Sequence, residues 1–333
     1  MLDLNKKVKI ALIADELTDK CLQYEADIFY ITPLNYKLLL YFFKPDFLFV
    51  ESAWHGKRNA WKFKIASYPE YPKRNNKALQ KVVAYAKNLN IPTVFWNKED
   101  GVHFERFIES AKLFDHILTV DENCIPLYQA NVPEKVTVNS MMFAVQTSIH
   151  YPTKGFKYPK ACFLGSYSHH IHNRRRQWQD ILFQASSHIG LDVYDRNSKR
   201  KAAHYRFPKM PGLQVFASVP HEQTAKIYRD YMISLNINTI EDSKTMFSRR
   251  LIEILACGGI AVTNPSPAVE KYFKDYCYVV NNADEADKLL ERFKNGPTKE
   301  DYARALAGSK YVLEHHTWSH RLNDICKIIG LVR

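Results

Sequence analysis

Short apolar runs separated by amphipathic segments recur along the chain, and their alternation predicts its fold class. Val8–Ala14, Ile28–Ile31, Phe47–Val50, Thr93–Trp96, His116–Val120 and Lys135–Val138 read as strands. Tyr36–Phe43 and Asn75–Leu89 carry helical spacing between them. The pattern breaks at YPTKGFKYPK, residues 151–160, which reads as a linker. It then resumes, with strands at Ala161–Leu164, Leu191–Tyr194, Ile233–Asn236, Ile260–Thr263 and Tyr278–Val280. Helices are expected at Arg174–Ile189, Glu222–Tyr231, Glu285–Phe293, Tyr302–Glu314 and Arg321–Ile329. Such alternation implies two α/β halves, each a mostly parallel, doubly wound sheet covered on both faces. Ligands of these sheets sit beyond the carboxyl ends of the strands. The expected division is 1–150, 151–315 and a closing segment 316–333.

The unit most informative about chemistry is FSRRLIEILACGGIAVTNPSPAVE, from Phe247 to Glu270. Ser248 stands where its hydroxyl can cap a helix starting at Arg249. Leu251, Ile252, Leu255 and Ala256 give that helix an apolar face, and Gly258 and Gly259 end it. Ile260–Thr263 follows as a buried strand, and a second helix begins near Pro267. Arg250 and Glu253, three positions apart, share one helix face. A helix start with an arginine in its first turn suits a phosphate, and a carboxylate one turn deeper can accept the hydroxyls of a ribose. A surface Arg–Glu pair is the plainer alternative, and spacing alone favours it.

The segment resembles the donor-binding stretch of CgeB-like glycosyltransferases, GT-B enzymes related to glycosyltransferase group 1. Arg250, Glu253, Ala256, Cys257, Gly258 and Gly259 match the R-x-x-E helix and A-C-G-G turn of that family. KPDFLFVESAW (Lys44–Trp54), FLGSYSHHIHNRR (Phe163–Arg175) and HTWSHR (His316–Arg321) are similar to further family segments, in the expected order. The resemblance implies two Rossmann-like domains facing a central cleft. The first would serve the acceptor and the second the nucleotide sugar, with the last helix crossing back to the first. It also implies donor contacts at Gly165, Ser166, Arg174, Arg250 and Glu253. The Gly165–Ser166 turn follows a strand and precedes a basic helix start, where backbone amides can approach a diphosphate. Many retaining relatives carry a second glutamate eight positions before the one matched here. Thr245 stands there instead, with Glu241 and Asp242 nearby, so the sugar stays open and retention of configuration is only a lean.

Composition adds constraints. A chain of 333 residues exceeds one typical domain, and a formal charge of +12 with 46% hydrophobic residues describes a basic globular protein suited to anionic partners. Six scattered cysteines without a C-x-x-C pair read as reduced thiols of a cytosolic protein. The opening MLDLNKKVKIALIAD reads as a first strand, and no stretch approaches the ~20 apolar residues of a membrane span, which leaves peripheral membrane attachment open.

Other candidates lie at predicted strand ends in the first half. Glu51, Asp100 and His103 could assist an acceptor hydroxyl, or else cap helices and make simple hydrogen bonds. His169, His170 and His172, and His316 with His320, lack a third or fourth ligand at motif spacing, so no metal site and no cofactor beyond the nucleotide-sugar substrate is expected. Between Lys57 and Lys81, basic residues interleave with Trp61, Phe63, Tyr68 and Tyr71. That pattern suits an anionic acceptor such as a phosphate-bearing polymer or lipid-linked glycan, nucleic acid fitting less well, or else it is a solvated loop anchored by its rings. The expected activity is sugar transfer from a nucleotide-diphosphate sugar to an unidentified acceptor without a metal. The alternatives are a GT-B-like nucleotide-sugar epimerase and a non-catalytic nucleic-acid-binding protein.

Overall fold

The computed structural model describes residues 7–331. The chain forms two compact units: one ends at Gln146 and takes back the segment from Trp318 onward, and the other spans Thr147–Thr317. The last two residues of the predicted closing segment lie outside the described residues.

In the first unit the strands are β1 (Val8–Ile13), β2 (Ala26–Tyr30), β3 (Phe47–Glu51), β4 (Thr93–Asn97), β5 (His116–Thr119) and β6 (Thr137–Ser140). They pair in parallel in the order β2-β1-β3-β4-β5-β6. The helices between them are α1 (Glu16–Leu22), α2 (Tyr36–Phe43), α3 (Lys77–Asn88), α4 (Phe104–Ala111) and α5 (Ile125–Gln129). Strands β3 and β4 are buried at every position, as expected when helices cover both faces of a sheet.

The second unit repeats the plan. Its strands are β7 (Tyr158–Gly165), β8 (Leu191–Asp195), β9 (Leu213–Ala217), β10 (Tyr231–Asn236), β11 (Ile260–Thr263) and β12 (Tyr278–Val279), in the order β12-β11-β10-β7-β8-β9. Its helices are α6 (Asn173–Ala185), α7 (His221–Asp230), α8 (Arg249–Ala256), α9 (Pro267–Tyr272), α10 (Ala283–Arg292) and α11 (Lys299–His315). The closing helix α12 (Trp318–Ile328) belongs to the first unit, where the Trp318 ring meets Trp96 edge-on and Arg321 Nε donates to the Met142 carbonyl at 3.0 Å.

Several elements depart from the sequence reading. Strand β7 starts at Tyr158, inside the expected linker, β6 runs Thr137–Ser140 rather than 135–138, and neither α1 nor β9 was expected. β9 is an edge strand, intermediate to exposed along its length, so no continuous apolar run marks it. The alternation of Leu213, Val215 and Ala217 after Gly212 was its one signal.

In each sheet the strand order reverses beside the first strand, between β1 and β3 in one unit and between β7 and β10 in the other. Crossover connections leave such a point in opposite directions, opening a crevice at the carboxyl ends of the two strands.

Candidate functional site

Helix α8 is held in place from both ends. Gly258 N–H donates to the Leu255 carbonyl at 2.8 Å and Gly259 N–H to the Ile254 carbonyl at 3.0 Å, the paired bonds of a Schellman cap. Gly258 has φ +71°, which a side chain would strain. At the other end the Ser248 hydroxyl does not cap the helix as expected. Instead the Ser248 N–H donates to Asn238 Oδ1 at 2.9 Å. Asn238 belongs to a buried amide network at the carboxyl ends of β10 and β11: Asn236 Nδ2 donates to Thr263 Oγ1 at 2.9 Å, and Asn238 N–H to Asn264 Oδ1 at 2.7 Å. This network fixes the loop from β10 and aims the first turn of α8 at the switch point.

Arg250 reaches across that point. Its Nε donates to the Leu164 carbonyl near the end of β7 at 2.7 Å, its Nη1 lies 3.5 Å from Asn236 Oδ1 at the end of β10, and its guanidinium sits 4.6 Å over the Phe163 ring. Gly165 leaves room for it, because a Cβ there would stand 2.9 Å from Arg250 Nη2 and 2.7 Å from the Phe163 ring. The Ser166 carbonyl accepts from Arg175 Nη2 at 3.3 Å and Gln179 Nε2 at 3.0 Å, and the Ser166 hydroxyl from Arg196 Nη2 at 3.4 Å. Three guanidinium groups therefore converge on the Gly165–Ser166 turn. No carboxylate oxygen lies within ion-pair distance of Arg175 or Arg250 among the described residues, and Arg175 Nε is buried without a hydrogen-bond partner. Burial, then repulsion from Arg250 and Arg196, pushes the Arg175 guanidinium down to about 9. Burial likewise lowers Arg250.

Of the donor residues expected from sequence, the structure thus brings together Gly165, Ser166 and Arg250. Arg174 points elsewhere: it is exposed, forms an ion pair with Glu241, and borders an open depression of about 460 Å³ with Ser266, Glu270 and Asn281. Arg175 was missed in its favour, although helical phase distinguishes the two. Arg175 stands one turn before the buried Trp178 and Gln179, on the inward face of α6.

Glu253 faces a different setting. Its partner is Arg249, at i−4, with Nε 3.0 Å from Oε1, and not the expected Arg250. His221 Nε2 and His150 Nε2 lie 3.9 and 4.0 Å from the same oxygen. Although burial alone would raise the Glu253 carboxyl, Arg249, the two histidines and Arg250 hold it below the usual carboxylate value. The ligand atoms of His150, His221 and Glu253 lie within 4.8 Å of one another, the spacing of a metal site. The Arg249 guanidinium, however, sets a positive charge 3.0 Å from Oε1, which opposes a divalent cation there. The group reads as a carboxylate kept ionised by the four basic side chains around it, with Oε2 outside the contacts of Arg249, His150 and His221.

In the first unit, Glu51 closes the other switch point. Its Oε1 accepts from Asp15 N–H at 2.5 Å and Lys98 Nζ at 2.8 Å, and its Oε2 from the Thr18 hydroxyl at 2.5 Å. The Asp15 carboxylate in turn accepts from the N–H groups of Trp54, His55 and Gly56. Asp100 is also fully buried, bonded to Asn97 Nδ2 at 2.6 Å and to the Tyr128 hydroxyl, and burial pushes its carboxyl up to about 7. His103 precedes α4 without capping it through its side chain, and its ring lies edge-on to Trp54. It keeps partial solvent exposure, and burial lowers its pKa. In the basic segment, Trp61 is buried with Nε1 donating to the Ile31 carbonyl, and Arg74 sits 4.1 Å over both Phe63 and Tyr71. These rings serve first to anchor the loop.

The histidines of the sequence analysis are dispersed. His169 Nε2 bonds the Arg206 carbonyl, His170 meets Ser168 and the His204 ring, and His316 packs against Phe273.

Comparison with known proteins places this geometry. Residues 174–327 match the model of a family described as glycosyl transferase-like, a stretch that includes Arg174, Arg175, Arg250 and Glu253. No curated protein matches the sequence. Among solved structures, the chain is similar to a glycosyltransferase from Rickettsia africae, at 11% identity and a TM-score of 0.57, over 98% of each chain. It is also similar to the HepE protein of Anabaena in complex with UDP and glucose, at 9% identity and a TM-score of 0.59, over 97% of this chain and 92% of that one. Sucrose-phosphate synthase from Thermosynechococcus elongatus aligns at 9% identity and a TM-score of 0.53, over 95% and 79%. At such identities the likeness establishes the fold, which is GT-B with two Rossmann-like domains. The family match spans fewer than half of the residues, and that segment carries Arg175, Arg196, Arg250 and Glu253.

Proposed function

We propose that this chain is a metal-independent glycosyltransferase of the cytosol, of the CgeB-like kind. It moves a sugar from a nucleoside-diphosphate sugar to an anionic acceptor such as a phosphate-bearing glycan or polymer. The observation that carries the reading is the convergence of Arg175, Arg196 and Arg250 on the Gly165–Ser166 turn, with no carboxylate paired to Arg175 or Arg250. Two guanidinium groups without an ion-pair partner, Arg175 and Arg250, at a switch point suit an anion, and a HepE structure of the same fold holds UDP.

As the bond from the sugar C1 to the β-phosphate oxygen breaks, negative charge gathers on the departing diphosphate. Fixed guanidinium groups and the Gly165–Ser166 backbone stabilise that charge where a metal ion would otherwise be needed. Glu253, held ionised by Arg249, accepts the ribose hydroxyls through Oε2. Arg174, engaged by Glu241, borders the adjoining depression and has a supporting part. The acceptor hydroxyl forms the new bond to C1 and yields its proton. The departing diphosphate takes that proton, in keeping with retention. Of Glu51, Asp100 and His103 in the first unit, only His103 combines partial exposure with a lowered pKa, so it is the candidate hydrogen-bond partner for an acceptor hydroxyl, while the buried carboxyls shape their own loops. Retention of configuration remains our lean.

Incubation with a panel of nucleotide sugars and candidate acceptors, in excess chelator, tests the reading. Release of nucleoside diphosphate with sugar appearing on an acceptor is expected. Interconversion of the nucleotide sugar without release would make the protein an epimerase, and no turnover with any donor would leave only an anion-binding protein.

A further inference from the structure

Helix α2 is apolar almost all round, and most of it faces solvent. Seven of its eight residues, YKLLLYFF, are aliphatic or aromatic, yet Leu40 alone among them is buried. Tyr36 and Leu39 pack partly onto the core, and Phe43 lies 4.6 Å from Phe29 of the edge strand β2. The remaining large side chains point outward: Leu34 just before the helix is 96% exposed, Phe42 70%, Leu38 58% and Tyr41 57%. Positions 38, 41 and 42 follow i, i+3 and i+4 and form one stripe, with Leu34 exposed in the turn that leads into the helix. Single exposed apolar residues need no explanation, but a group of four large ones does.

Charge identifies what covers it. Lys37 and Lys44, both exposed, border the stripe along one side. The segment pinned to the carboxyl end of β2, where Trp61 Nε1 bonds the Ile31 carbonyl, adds the exposed Arg58 and Lys62. From Leu34 to Pro69 the chain carries only two acids. Of these, Asp46 is half-buried and turned to the Lys9 amide, and Glu51 is buried, so the exposed charges beside the stripe are cations. Large apolar side chains framed by cations suit the interface of an anionic bilayer, where rings and leucines enter the acyl boundary and lysines meet phosphate headgroups. A second copy of this face would bring lysine against lysine.

We propose that α2 is a membrane-docking element by which the first unit lies on an anionic lipid surface. This rests on the exposed stripe and does not depend on the donor site.

Sedimentation with vesicles of phosphatidylcholine alone, and of phosphatidylcholine mixed with phosphatidylglycerol, tests it on the full chain. The protein is expected to bind the mixed vesicles and release with rising salt. Leu38→Ser with Phe42→Ser should weaken that binding at least about tenfold. Lys37→Gln with Lys44→Gln should weaken it by about fivefold per lysine. All four positions are exposed, so thermal unfolding should match the parent and separate lost docking from lost fold. Three results would overturn the proposal: no binding to mixed vesicles, serine variants that bind as well as the parent, or a dimer that the serine changes dissolve while vesicles stay unbound.

Discussion

Replacing Arg175 by Met should make the second unit more stable and its anion binding weaker. The guanidinium is pushed down to about 9, first by burial and then by Arg250 and Arg196, so it remains charged at neutral pH at a cost in folding free energy. At about 1.4 kcal/mol per pK unit, complete burial would make that cost roughly 5 kcal/mol. The side chain is only partly buried, and solvent screening reduces the recoverable part to about 1–2 kcal/mol. Methionine keeps the aliphatic packing of the stem. The lost bond to the Ser166 carbonyl is long, at 3.3 Å, and Gln179 still serves that oxygen at 3.0 Å. The net expectation is a gain of about 1 kcal/mol, equivalent to roughly 2–4 °C in Tm for a unit of this size. Affinity should move the other way: one charge-assisted hydrogen bond to a phosphate is worth about 1.5–3 kcal/mol, so the Kd for a nucleoside diphosphate should rise roughly ten- to a hundredfold. Scanning calorimetry with and without UDP, joined to titration calorimetry, measures both quantities. A variant that loses stability and keeps its affinity would refute the reasoning, because Arg175 would then be a structural arginine with no part in the anion site.

Three further outcomes follow from other sites. Glu253→Gln should weaken nucleotide binding in titration calorimetry; because Glu253 is 3% exposed and paired with Arg249, it should also cost about 1–3 kcal/mol, more than a surface substitution. An unchanged Kd would remove Glu253 from the donor site. Folded Asp100 holds its proton up to about pH 7, whereas an unfolded aspartate releases it near 3.8, so its contribution is full below the lower value and is lost as pH rises through the upper one. Asp100→Asn should flatten that fall in denaturant titrations between about pH 4 and 7, and an unaltered slope would contradict a buried neutral carboxyl. For the acceptor, Arg58→Glu with Lys73→Glu changes exposed cations that do not anchor the loop. It should raise the acceptor KM at low salt with donor hydrolysis unchanged, and equal transfer kinetics would retire the anionic acceptor.

The sequence by itself determined the architecture. Period-two and period-3.6 hydrophobicity are local properties, so alternation gave the strands and helices, and full burial of runs such as Phe47–Val50 implied a sheet covered on both faces. The glycine pair that ends α8 was legible for the same reason, since a left-handed cap depends only on its own backbone. Which arginine meets the Gly165–Ser166 turn was half legible: the phase of α6 separates Arg175 from Arg174, but only the buried Trp178 and Gln179 show which phase is inward. The rest belonged to tertiary structure. Arg250 bonds the Leu164 carbonyl because a crossover sets β7 beside β10, and nothing within 86 positions of sequence marks that meeting. Arg249 rather than Arg250 holds Glu253 because Arg250 is turned to the Leu164 carbonyl and Asn236, and His221 and His150 reach the same carboxylate from elsewhere in the unit. Apolar periodicity placed α2 as a helix without revealing that its apolar surface stays in solvent. Hydrophobic pattern records which side chains prefer to leave water, whereas the supply of partners to cover them is decided by the packing of the whole unit.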